Sequence, residues 1–67
     1  MISFNPLWKT LVDKGLTKSQ LRAKIGCSGQ VVVNMGKNKY VDMKWIDIIC
    51  RELCVKVSDV IEYKEEL

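Results

Sequence analysis

Residues 16–36 carry two helix signatures back to back, separated by a single glycine. Thr17 and Gln20 form the Thr-x-x-Gln pair that satisfies a helix start from both sides. Leu21 and Ile25 then recur at the four-residue step of one helical face, and Gly26 ends the helix after about two turns. Ser28 is placed to cap a second helix over about residues 28–36, in which Val32 and Met35 repeat at helical spacing. Val31, Val32 and Val33 are poor helix formers, and a strand competes there. The capping serine and the Val32 to Met35 step favour a helix. Leu21, Ile25, Cys27, Val32 and Met35 pack the pair together, which leaves Ser28, Gln30, Val33 and Asn34 outside.

The rest of the chain supplies three more helical stretches. Asn5 is placed as N-cap and Pro6 as first helical residue, where its missing N–H costs nothing. Leu7, Trp8, Leu11 and Val12 form one broad apolar face, and Gly15 closes this helix. Gly36-Lys-Asn-Lys-Tyr40 reads as a polar turn. Asp42 caps a fourth helix with Met43, Ile46, Ile49, Cys50 and Leu53 on its core line, the most regular helical pattern in the chain. Ser58 caps a short last helix with Asp59 in its first turn, and Val60 and Ile61 return to the core. These patterns predict an all-α, five-helix architecture forming one domain over residues 1–67. No internal repeat or linker interrupts it.

Composition narrows the function classes. At 48% hydrophobic and 28% charged residues, the chain suits a compact fold rather than disorder. No apolar run approaches the roughly 20 residues that cross a bilayer, and the N-terminus lacks the basic flank and apolar stretch of a signal peptide. A cytoplasmic location and no membrane partner are expected. The absence of histidine, of paired carboxylates and of a phosphate-binding glycine loop argues against an enzyme. Cys27, Cys50 and Cys54 lack the number and spacing of a zinc site, so they read as three buried thiols; no metal or cofactor is expected. The net charge of +3 is unevenly spread. Residues 1–40 hold seven Lys/Arg against Asp13 alone, whereas residues 41–67 hold four against seven acids. Such a basic front suits a phosphate-bearing partner, although a solvated helix surface has the same look.

Two short helices joined at a glycine turn, with small uncharged hydrogen-bonding residues exposed on the second, are the sequence form of a helix-turn-helix. From about Leu7 to Tyr63 the chain resembles the Xre/Cro-like, phage-repressor type of helix-turn-helix regulator. The likeness rests on Leu21, Ile25, Gly26, Cys27, Val32 and Met35 in the motif. It continues through Met43, Ile46, Ile49-Cys50 and Leu53 to the Asp59-Val-Ile-Glu-Tyr63 ending. Arg22 departs from the family's small residue at the helix crossing, and Lys18 stands where the family often has glutamine.

The resemblance implies a lambda-repressor-like fold with helices two and three as the helix-turn-helix, and a role as a small transcriptional regulator, expected to be a repressor. It implies base reading in the major groove by Ser28, Gln30, Val33 and Asn34, with Gly29 silent. Gln30 and Asn34 have side-chain amides suited to adenine, and Val33 suits a thymine methyl. With no arginine available on this face to read guanine, A·T-rich half-sites are expected. Phosphate contacts fall to Thr17, Lys18, Lys37, Asn38 and Lys39, whereas Lys9, Lys14 and Lys24 read as solvated charges. The partner is then an operator in double-stranded DNA, and a homodimer would use helix four, helix five or the C-terminal region. Trp8 reads as core, and Trp45 as half-buried or as an interface anchor. The alternative is a protein-interaction module, antirepressor or antitoxin-like, that keeps the fold without binding DNA; the three adjacent valines suit it.

Overall fold

The computed structural model describes residues 1–65. Four α-helices follow one another: α1 (Asn5–Lys14), α2 (Lys18–Ile25), α3 (Gly29–Gly36) and α4 (Met43–Leu53). A 3₁₀ turn at Val57–Asp59 and two short strands, β1 (Ile2–Ser3) and β2 (Glu62–Tyr63), complete the described residues. The expected fifth helix is therefore a single tight turn, and the fold is not purely helical. Lys56 caps this turn rather than Ser58: the Lys56 N–H donates to Asp59 Oδ2 at 3.1 Å, and the chain leaves helical geometry at Val60, where φ is −116°. The next residues become β2, antiparallel to β1 with Ile2 opposite Tyr63 and Ser3 opposite Glu62.

Local signals set most boundaries. Thr17 and Gln20 make the reciprocal cap, with Gln20 N–H to Thr17 Oγ1 at 3.1 Å and Thr17 N–H to Gln20 Oε1 at 2.8 Å. Asp42 caps α4 through Oδ1, which accepts the Lys44 N–H at 3.1 Å. Gly15 and Gly26 end α1 and α2 at φ 67° and 70°, a left-handed conformation that glycine adopts without Cβ strain. The start of α1 differs from expectation. Phe4 is its N-cap, Asn5 its first helical residue and Pro6 its second, because the buried Ser3 hydroxyl accepts the Asn5 N–H at 3.1 Å. Ser28 holds the cap position of α3 but makes no side-chain cap bond.

The core joins Phe4, Leu7 and Leu11 to Leu21, Ile25, Cys27 and Met35, and these to Ile46, Ile49, Leu53 and Val60. Five residues expected to be buried in the core are not. Val12 is 78% exposed and Met43 67% exposed, since each stands on its helix away from the line that meets the other helices. Trp8 is half-buried. Cys54 is exposed in the left-handed position after α4 and Cys50 is half-buried, so only Cys27 of the three thiols is buried. The valine run is helical, with Val31 and Val32 packed against the core and Val33 exposed. No helix among the described residues is long and apolar enough to cross a membrane.

Candidate nucleic-acid interface

The α2–α3 pair is fixed from inside and bare outside. Leu21, Ile25, Cys27 and Met35 are buried at its inner side, so neither helix can rotate without opening the core. Burial pushes the Cys27 thiol above its ordinary pKa, while its own backbone and the Arg22 charge pull the other way. Outside, α3 exposes Ser28, Gln30 and Val33, with Asn34 half-buried beside them. Gln30 Nε2 donates to Asn34 Oδ1 at 2.9 Å, so the two amides expected to read bases are joined. Gln30 keeps its Oε1 and a second N–H, which suffice for the acceptor–donor edge of adenine. Ser28, with no capping duty, keeps its hydroxyl free.

The residues expected at phosphates divide into two groups. Lys18, the first residue of α2, lies with Nζ 4.4 Å from the centroid of the Trp8 ring. A Cβ built on Gly36, the last residue of α3, would stand 3.7 Å from the same Nζ. The ammonium therefore sits at the junction of α1, α2 and the C-terminal end of α3. There it meets an aromatic face and the negative end of a helix dipole. Thr17 spends its Oγ1 lone pair on the α2 cap and retains a hydroxyl proton. Beyond α3, Lys37 and Lys39 are exposed.

Asn38, between them, is half-buried in a left-handed conformation at φ 55°. Its Oδ1 accepts the Phe4 N–H at 2.9 Å. The side chain thus ties the loop after α3 to the start of α1, a long-range link with no sequence signal beyond Asn tolerating positive φ. Tyr40 is 87% exposed at the end of the same loop.

The helix pair, its glycine corner and the exposed face of α3 have a counterpart among known protein families. The model of the Cro/C1-type HTH DNA-binding domain matches residues 6–66. The chain belongs to this family. The crystal structure of the transcriptional regulator VanUg superposes on the Cro/C1-type domain described above with a TM-score of 0.92 and 35% sequence identity. The match covers 97% of this chain and 87% of that one. No curated protein matches the chain.

Within this Cro/C1-type domain, α2 and α3 form the helix-turn-helix. Arg22, conspicuous in sequence at the helix crossing, is exposed on α2. A Cβ built on Gly29 would stand 3.9 Å from its Nε. The arginine therefore reaches the first turn of α3, where the sequence shows no cation.

Proposed function

We propose that the chain binds double-stranded DNA sequence-specifically as a small transcriptional regulator, acting as a repressor, with α3 in the major groove. The observation that carries this reading is the outer row on α3, Ser28, Gln30 and Val33 exposed with Asn34 half-buried, flanked by Lys18, Lys37 and Lys39 around the C-terminal end of the helix. Uncharged amides and a hydroxyl suit base edges, and the cations at the rim suit phosphates. Thr17 and the Asn38 amide nitrogen complete the phosphate-facing rim.

The competing reading, an interaction module that has lost DNA binding, drew support from three adjacent valines. Val31 and Val32 pack against the core, and Val33 alone remains exposed, which fits a thymine methyl rather than a protein interface. VanUg being a transcriptional regulator supports the same side.

Dimerisation through α4 and the C-terminal residues belongs to this proposal. Met43 at the start of α4, Tyr40 before it and Tyr63 in β2 are exposed apolar or aromatic side chains outside the α3 face. A single module buries little DNA surface, and a second copy would add a second half-site about one helical turn away.

Selection of bound sequences from a random double-stranded pool, followed by salt titration on the selected site, tests the reading. The expected outcome is an enriched site whose affinity falls steeply with salt. Gln30→Ala should cost about 1–3 kcal/mol of discrimination at one base pair while leaving binding to random DNA intact. Absence of binding at low salt would favour the interaction module.

A further inference from the structure

Gly29 is unusual for what it lacks. It lies in the first turn of α3 without the positive φ that makes glycine necessary at Gly15 and Gly26. A glycine in a helix is less favourable than alanine, so its backbone gains nothing from the choice. What the missing side chain leaves is space on the base-reading ridge, between Ser28 and Gln30. Arg22 borders that space, its Nε 3.9 Å from the point a Cβ would occupy.

Three further observations describe this arginine. It is exposed on α2, so its guanidinium is hydrated and accessible. Among the described residues it has no carboxylate partner: the one ion pair is Arg51 with Glu52. Its charge is also felt at the Cys27 thiol, whose pKa is mainly governed by burial, as a place at the turn between α2 and α3 requires.

We propose that Arg22 is a base-reading residue, delivered from α2 across Gly29, and that it recognises a guanine edge at the base pair facing the first turn of α3. A planar guanidinium with paired N–H donors matches the O6 and N7 acceptors of guanine, which no residue on α3 itself can do. The α3 face alone, with Gln30, Asn34 and Val33, favours A·T pairs. Arg22 adds a G·C position beside them, so the half-site is mixed rather than uniformly A·T-rich. Gly29 is the positioning residue, because any side chain larger than alanine would fill the slot. This inference rests on the reading of α3 as the recognition helix.

The test compares the wild-type chain with Arg22→Ala, Arg22→Lys and Gly29→Leu, each checked for an unchanged helical circular-dichroism spectrum. Bound sequences are selected from a random pool, and affinities are then measured on the selected site and on the same site with each G·C pair exchanged. The wild type should prefer guanine at one position per half-site by about tenfold to a hundredfold. Arg22→Ala and Gly29→Leu should each abolish that preference while retaining the A·T preferences. Arg22→Lys should keep most of the affinity but weaken the guanine preference, since an ammonium donates to O6 and N7 without the planar fork.

A loss spread evenly over all sequences, restored by Arg22→Lys, would assign the arginine to phosphate and overturn the proposal. So would an unchanged site for Arg22→Ala. Both results leave the α3 reading standing. Failure of the wild type to bind any DNA would remove that reading and the proposal with it.

Discussion

Asn38 shows how one side chain can serve two distant segments. Its backbone turns the chain after α3 at φ 55°, and its Oδ1 accepts the Phe4 N–H where α1 begins. The two contributions can be separated by substitution. Asn38→Gly keeps the turn and loses the bond, which should cost about 0.5–1.5 kcal/mol in urea unfolding. Asn38→Ala loses the bond and keeps a Cβ in the left-handed region without the polar side chain that lets asparagine tolerate it, at roughly 1 kcal/mol more. Equal losses for the two variants would show that the backbone conformation contributes nothing. The bridge between Gln30 and Asn34 gives a second residue-scale expectation. If Asn34 holds the Gln30 amide in place, both alanine variants should lose discrimination at the same base pair. The double variant should then lose about as much as the worse single one. Additive losses at two different base pairs would mean that the amides read independently.

At the scale of elements, α2 and α3 are each only two turns long and neither is stable alone. The Thr17–Gln20 cap supplies two of the hydrogen bonds that an isolated α2 start would leave unmade. Thr17→Ala should lower stability by about 1 kcal/mol and, through the proposed phosphate contact, also weaken DNA binding evenly across sequences beyond that loss. A thermal melt beside a binding isotherm at a temperature where both proteins are fully folded separates the two effects. Outside α3, Lys37→Ala and Lys39→Ala should each weaken binding evenly across sequences and reduce the salt slope by about one counterion. Lys18 differs from these two, held as it is over Trp8. Its contact brings α1 to the junction of α2 and α3, so Trp8→Ala disturbs both packing and a cation at the rim.

The whole molecule depends on a small set of fully enclosed side chains. Leu21, Met35 and Ile49 have no solvent exposure and come from α2, α3 and α4 respectively. In a chain of 67 residues the core is near the lower limit for independent folding. Leu21→Ala should cost about 2–5 kcal/mol, a large part of the roughly 5–15 kcal/mol that stabilises a typical domain. The expected result is a strongly lowered melting temperature and the loss of DNA binding with the fold. The three thiols report on the same enclosure. Cys54 is exposed, whereas burial both shields Cys27 and raises its thiol pKa. Alkylation of the native protein near neutral pH should therefore label Cys54 first, and Cys27 only on unfolding. Early labelling of Cys27 would place the α2–α3 corner in a looser state than the structure shows.

Much of this molecule was legible because its determinants are near neighbours in the chain. The Thr17–Gln20 pair, Gly15, Gly26 and Asp42 act on backbone groups within a few residues, so reading them in order recovers four helices and the motif. The same local spacing brought out Leu21, Ile25 and Met35 as core, together with the exposed row on α3. What the order of residues does not contain is which distant segment meets which face. The strand pair of Ile2–Ser3 with Glu62–Tyr63 has no local signature, since two residues per strand show no period. The outward turn of Val12 and Met43, the tight turn in place of a helix after Leu53, and the Asn38–Phe4 bond all depend on what packs alongside. Arg22 belongs with them. In sequence it is an ill-fitting residue on α2, and only the crossing of α2 over the first turn of α3 brings it beside the gap at Gly29. Short-range hydrogen bonding and helical period are written along the chain, but the surface proposed to meet DNA is assembled between helices, where packing decides which side chains become neighbours.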